Sequence, residues 1–584
     1  MTPGTTPTLA ALAAEAVSFD QVITVAPLTL PAHASLLTAQ FPPRHGVRDN
    51  QIYTLSASAT TYPWMLKQQG YATAAFVSAV VLDHRYGLNR GFDVYDDEIA
   101  GPERAAAETL ARAERWIAAA EKPFFVWVHL FEPHAPYLAG SYAAEVTSVD
   151  SALAGFFKQL RDGGRWDDLV LSITADHGEA LGEHGEKTHG FFVYDAVLRI
   201  PWILKAPGLA SERVQQLVRI VDIMPTVAEL ADPKAAIAGE IDGVSFASTA
   251  ARRSSSNLHA YSETYLPPDQ FGWSALKAIR TGRFKYIEAP QAELYDLEAD
   301  AGEQTNVLSS NGADADRLRR ALNGIARGTQ AATRPPDVDP RLAAQLASLG
   351  YVSSAAAMVD PETPNLPDPK TKLDVYNLTM TGLELSESSD LAAALKAVQD
   401  AKRLDPAVAQ VLFLEGTLLG QMGRNDQAVA ALERTLALAP RYAAARFKLA
   451  MALVRLGRTE QATNTLNELL REEPGDFRAW HNLAAIAYSR GDLDEAERLE
   501  RKAIAIAPDY AEAWNTLGAI ALVRKQPDAA IESLERATRL APQNAQAFRN
   551  LSLALRQAGK ADAARIAADR ACALDRRFCD EAKK

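Results

Sequence analysis

Apolar positions along this chain follow two different rules. Up to about residue 310, short continuous apolar runs alternate with stretches of helical period. Tyr71–Ala79, Pro123–Phe131, Leu169–Ala175 and Ile200–Ala206 have strand length and predict buried strands. The segments 102–120 and 150–161 predict helices. That alternation predicts a mostly parallel sheet sandwiched by helices. Ala275–Ile279 and Arg283–Ile287, joined through Thr281-Gly282, predict a later hairpin. Beyond about residue 371 the strand pattern stops. Pro406, Pro440, Pro474, Pro508 and Pro542 recur every 34 residues, and Gly423, Gly457, Gly491 and Gly559 keep the same step, with Lys525 as the exception. Leu412, Trp480, Trp514 and Phe548 also keep register, with Arg446 out of line. Proline that stops one helix and glycine at a tight turn predict two short helices per unit.

A 34-residue period of this form resembles the tetratricopeptide repeat. The resemblance implies an all-α superhelix over 371–584, with 372–405 as a degenerate first unit and a protein or peptide partner on its concave face. Between the halves, 311–370 is rich in proline and holds an apolar island, Leu342 to Val352; it reads as a partly extended linker. The third segment, 1–310, is the α/β domain.

Composition narrows the field. The 584 residues suffice for two or more domains, and a net charge of −12 argues against nucleic acid as a partner. No apolar run reaches the roughly 18 residues of a membrane span, and no signal-peptide pattern is readable. The compartment stays unassigned. On one helix, Cys572 and Cys579 would stand roughly 10 Å apart, so two unpaired thiols are expected. Eight of the ten histidines lie in the first third, which directs the search for chemistry there.

Two constellations stand out. Leu169–Ala175 runs into Asp176-His177-Gly178-Glu179, and Gly182 to Gly190 comes next with His184 and His189. An acid and an imidazole at a strand end suit metal ligation. Thr29-Leu30-Pro31-Ala32-His33 leads into Phe41-Pro42-Pro43-Arg44-His45-Gly46. A hydroxyl at a strand-to-helix junction serves as a nucleophile where a metal lowers its pKa, and the helix amides favour an oxyanion. Residue types alone leave open an ordinary capping threonine.

The stretch Thr29 to Asn50 resembles the nucleophile region of the sulfatase-like branch of the alkaline phosphatase superfamily. Thr29-Leu30-Pro31-Ala32-His33 stands where formylglycine sulfatases read C-x-P-S-R, so threonine holds the nucleophile position. Asn50 has the spacing of an asparagine that contacts the oxyanion, and Asp176-His177-Gly178 matches the metal-binding strand end. His189 falls where sulfatases carry an anion-binding lysine, and Glu132-Pro133-His134 matches a histidine that contacts oxyanion or leaving group. Arg219 to Val227 and Glu293 to Asn306 look like the family's later motifs.

The resemblance implies a hydrolase, or group transferase, for sulfate, phosphate or phosphonate esters. Thr29, His134 and His189 would be catalytic. Asn50, His33, His134 and His189 would bind substrate, and Asp176, His177 and the Thr29 oxygen would hold one divalent cation (Ca, Mn or Zn). Threonine cannot become formylglycine, so an alkoxide attack is implied, with phosphorus favoured over sulfur. His33 replaces an arginine of the family pattern. Asp150 has no histidine at 154 to make a second metal set, and His129 and His45 read as weaker candidates. The family's first strand normally ends in metal-binding aspartates. Here no acid precedes Glu15, and Thr6-Pro7-Thr8-Leu9 resembles the segment that normally comes after that strand. The strand and its carboxylates are therefore expected to be missing here. That leaves open a start assigned too late, substitution by Asp20 or His184, or an inactive domain in an interaction scaffold.

Overall fold

The structure is a computed structural model. It describes residues 4–327 and 363–579, apart from 102, 122, 136, 138, 233–238, 249–251, 253–257, 364 and 389. The apolar island at 342–352 lies outside the described residues. The chain divides into two units, Met1–Val411 and Leu412–Lys584.

In the first unit the elements run α1 (Pro7–Glu15), β1 (Val17–Ile23), α2 (Thr29–Thr38), α3 (Pro42–His45), α4 (Tyr62–Gln68), β2 (Ala72–Phe76), β3 (Val94–Asp96), α5 (Ala106–Ala119), β4 (Phe124–Val128), α6 (Tyr142–Asp162) and β5 (Leu171–Thr174). Next come α7 (Asp195–Leu198), β6 (Arg199–Lys205), β7 (Glu212–Arg219), α8 (Ile223–Ala231), β8 (Ala260–Thr264), β9 (Leu276–Arg280), β10 (Phe284–Glu288), β11 (Glu293–Asp296), α9 (Gly312–Ala326), α10 (Leu373–Glu387) and α11 (Leu391–Leu404). The apolar runs and the hairpin thus form strands, as their pattern requires.

Three sheets result. β3-β2-β4 is parallel throughout. In β5-β6-β1-β7, β1 and β7 are parallel while β6 runs against both of its neighbours, so β5, β1 and β7 share one direction. The third, β11-β10-β9-β8, is an antiparallel meander. α5 and α6 pack Leu110, Ile117, Phe156 and Phe157 into the core against Phe76 and Ile203. Asp150 is no metal ligand: its buried carboxylate accepts from the Thr8 and Leu9 amides at 2.9 Å, satisfying the first turn of α1.

Helices α10 and α11, which the sequence assigns to the repeats, belong to this first unit. Tyr376 of α10 stacks on Phe191 with centroids 4.2 Å apart, and the Asn377 side-chain amide donates to the Gly185 carbonyl at 3.0 Å. Asp368, just before α10, accepts from the Gln291 amide at 2.8 Å.

The second unit is a run of helices from Asn425–Leu438 to Ala561–Leu574, paired two by two from Ala443–Arg455 onward. Its two irregular positions have physical explanations. The Trp480 and Trp514 indoles donate to the Pro474 and Pro508 carbonyls at 2.9 and 2.8 Å. Arg446 does the same for the Pro440 carbonyl, its guanidinium replacing the indole N–H. Lys525 adopts the left-handed φ of 59° that Gly491 and Gly559 adopt at 81° and 73°. Cys572 and Cys579 correct the expectation of free thiols: they form a disulfide, with Cα atoms 4.5 Å apart. The helix ends at Leu574, and the 3-10 turn Arg576–Phe578 brings the chain back, so one straight helix does not carry both.

A left-handed conformation costs a non-glycine residue about 1 kcal/mol. Lys525→Gly should therefore stabilise the repeat unit by about 1 kcal/mol. Urea unfolding followed by circular dichroism will show the midpoint rise.

Candidate functional site

α2 brings the first residues of the site together. All ten of its residues are buried, so the amides of its first turn need partners inside the protein. Leu30 N–H donates to Asn50 Oδ1 at 2.8 Å. This leaves Asn50 Nδ2 as a buried donor without a hydrogen-bond partner. Thr29, at the helix start, lies with its Oγ1 3.3 Å from His177 Nε2. One turn on, the His33 Nδ1 meets the Thr29 carbonyl at 2.8 Å.

β5 delivers Asp176 and His177 just past its carboxyl end, and β4 delivers His129 just past its own. Asp176 Oδ2 is 3.4 Å from His177 Nε2 and 3.7 Å from His33 Nδ1. Ligand atoms of His33, His129 and Asp176 all lie within 4.8 Å of one another. Burial lowers the pKa of His33, His129 and His177, His129 to about 3, so these imidazoles are neutral. Burial works against the Asp176 carboxylate, yet His177, His33 and His129 hold its pKa well below the usual range. Neutral imidazoles around a carboxylate are a donor set for a divalent cation. Among the described residues this set holds one carboxylate. Asp20 and His184 do not join it: Asp20 pairs with Arg213 at 2.8 Å, and His184 stacks on Tyr194 at 3.6 Å.

His134 and His189 close the site. Their rings are 5.0 Å apart, and the His189 ring is 4.2 Å from that of His177. Burial, then the neighbouring His189, pushes His134 down to about 3. Burial also opposes charge on His189, but Glu179 at 2.9 Å outweighs it and raises the pKa. The two imidazoles are thus driven apart, His134 toward its neutral form and His189 toward its charged one. Buried Glu186 accepts from the Phe191 amide at 2.8 Å and shapes the loop that carries His189. His45 has a separate, structural place, 2.7 Å from Ser35 Oγ.

The structure therefore gathers Thr29, His33, Asn50, His134, Asp176, His177 and His189 around one end of the parallel strands. It adds His129, a weaker candidate by sequence, and Glu179, which sequence reasoning left without a role. The alternation of β4 signalled His129, and the carboxylate two residues past His177 was visible as Glu179.

Both halves of the chain have counterparts among known proteins. Residues 1–233 match the sulfatase family model, and residues 182–325 match the model described as N-sulphoglucosamine sulphohydrolase, C-terminal. Residues 419–486 and 487–551 match the tetratricopeptide repeat. An ulvan-active sulfatase of Formosa agariphila is 24% identical over 373 residues, covering 52% of this chain and 72% of that protein. A choline-sulfatase of Rhizobium meliloti is 23% identical over 414 residues, covering 53% and 79%. A solved structure described as a complex with its substrate D-glucosamine-2-N,6-O-disulfate has a TM-score of 0.49 and 18% identity, covering 55% of this chain and 92% of that one.

An NMR titration of the imidazoles should place the His189 midpoint above the ordinary histidine value and that of His134 far below it. Glu179→Gln should bring the His189 midpoint down while leaving His134 low.

Proposed function

We propose that this chain, a sulfatase-like hydrolase of the alkaline phosphatase superfamily joined to tetratricopeptide repeats, cleaves sulfate esters through a threonine nucleophile. The observation that carries this reading is Thr29. It is buried at the first turn of α2, its hydroxyl lies against His177, and an unpartnered Asn50 amide donor is fixed one residue away.

Asp176, His177 and the Thr29 oxygen would hold a divalent cation, with ligand atoms of His33 and His129 within 4.8 Å of that of Asp176. When bound, such a cation lowers the pKa of a coordinated hydroxyl and so favours the alkoxide. Thr29, its hydroxyl proton released to solvent, would attack sulfur through Oγ1 as the bond from sulfur to the ester oxygen breaks. His189, held charged by Glu179, donates a proton to that oxygen. Asn50 Nδ2, a buried donor without a partner, stabilises charge on the sulfuryl oxygens. Neutral His134 orients the leaving group. Water then hydrolyses the O-sulfothreonine. The helical repeats bind a protein or peptide, the use such stacked units serve.

Thr29→Ala should lower turnover of an aryl sulfate by about a thousandfold or more, while Thr29→Ser keeps a measurable part. Aryl phosphate, phosphate diester and phosphonate ester assayed beside it identify the preferred centre; a phosphate preference would overturn the sulfate assignment alone. One observation favours a second reading, an inactive domain in an interaction scaffold: Asp176 is the one carboxylate among the clustered ligands. A cation usually takes four or more ligands. Elemental analysis of the purified chain decides between them, since a protein that retains no divalent cation and turns over no ester is the scaffold.

A further inference from the structure

The paired helices of the second unit divide their charge unevenly. The first helices of the pairs are Ala443–Arg455, Phe477–Ser489, Ala511–Val523 and Ala545–Gln557; they carry six lysines and arginines and one acid, Glu512. The second helices, from Thr459–Glu472 to Ala561–Leu574, carry twelve acids against eight lysines and arginines. In a chain of net charge −12, one helix of each pair thus belongs to a basic set. These first helices also meet one another along the array. The Arg478 guanidinium lies over the Phe447 ring at 4.5 Å, Phe477–Ser489 touches Ala511–Val523, and the Asn550 side-chain amide donates to Asn515 Oδ1 at 2.9 Å. They therefore form one continuous face.

The basic end of this face centres on Lys448. Its place in the 34-residue period is held by Asn482, Thr516 and Asn550 in the later units. Lys448 is exposed, and among the described residues its ammonium has no ion-pair or hydrogen-bond partner. Even so, partial desolvation, then the charges of Arg478 and Arg455, lower its pKa. Arg478 has Asp476 at 2.9 Å, and Arg455 donates to the Gly420 carbonyl at 3.1 Å, so no carboxylate answers Lys448 itself. A partly desolvated cation crowded by two others gains from an added anion. Half-buried Phe447 sets an apolar surface beside the three charges. Farther along, Asn482, Asn515 and Thr516 are neutral and offer the amide and hydroxyl groups that bond to a peptide backbone. A polymer charged at every unit would need cations along this middle stretch, whereas a peptide with its acids grouped does not.

We propose that this face is the docking site of an extended acidic peptide segment, whose clustered carboxylates sit on Lys448, Arg455 and Arg478. The proposal rests on the reading of the repeats as a peptide-binding surface and is independent of the ester chemistry.

The test uses the full chain and two short fluorescein-labelled peptides of Ser, Gly and Leu. One carries a central run of glutamates, the other glutamines in their place. Fluorescence anisotropy should show saturable binding of the glutamate peptide, weakening as salt is raised. Lys448→Gln should weaken it about tenfold. Lys448→Arg should keep it, and Arg536→Gln, an equal loss of charge at an exposed site on a second helix, should leave it unchanged. Circular dichroism checks that each variant stays helical; Arg455→Gln, expected to weaken binding in the same way, replaces Lys448→Gln if that variant loses helix.

Equal binding of the glutamine peptide would overturn the acidic preference and leave the peptide-binding reading standing. Binding of neither peptide would overturn both. Equal losses in Lys448→Gln and Arg536→Gln would overturn the site in favour of diffuse attraction. Tighter binding of a sulfated oligosaccharide that displaces the glutamate peptide and depends on Lys448 would overturn it in favour of a polysaccharide. Loss of ester turnover in every assay leaves these binding readouts intact.

Discussion

The hydrogen bond from the Leu30 amide to Asn50 Oδ1 answers a constraint that shapes the whole site. A helix buried along its full length cannot leave its first-turn amides to water. Asn50 supplies the acceptor, and the geometry of a carboxamide then fixes where its Nδ2 donor sits. The same bond pins the start of α2, and with it Thr29. His33, four residues along, closes on the Thr29 carbonyl. One desolvated helix end thus orders a hydroxyl, an amide donor and an imidazole without any of them lying on a mobile surface loop. The arrangement stays polar inside an apolar body, where electrostatic effects are strong and unpaired groups are costly.

A second consequence of burial is the division between His134 and His189. Desolvation alone would make both neutral. Glu179 reverses this for His189 only, because its carboxylate reaches that ring at 2.9 Å. Two like residues acquire different protonation states from their surroundings, as paired acid and base groups do in enzymes.

Much of this was legible in the sequence, for reasons that can be named. The 34-residue period is a purely local signal, written in proline, glycine and aromatic positions. Thr29, Asn50, Asp176 and His189 lie in short motifs at fixed spacings. What stayed hidden depends on long-range contact. His129 joins Asp176 because two strand ends converge, which spacing along the chain does not show. Arg446 looked like a break in the pattern, yet it makes the same bond to a proline carbonyl as the tryptophans. Lys525 likewise holds a glycine conformation without being glycine. The disulfide depended on a chain reversal after Leu574 that helical periodicity could not anticipate.

The stacking of Tyr376 on Phe191 gives α10 a double allegiance. By sequence it opens the repeats; by packing it supports the loop from Gly185 to Phe192 that holds His189. A gene rearrangement that exchanged one repeat array for another could not cut at the proline-rich stretch without stripping this support away. The compact first unit is therefore longer than the hydrolase motifs suggest and takes in α10 and α11, which the repeat pattern alone would assign elsewhere.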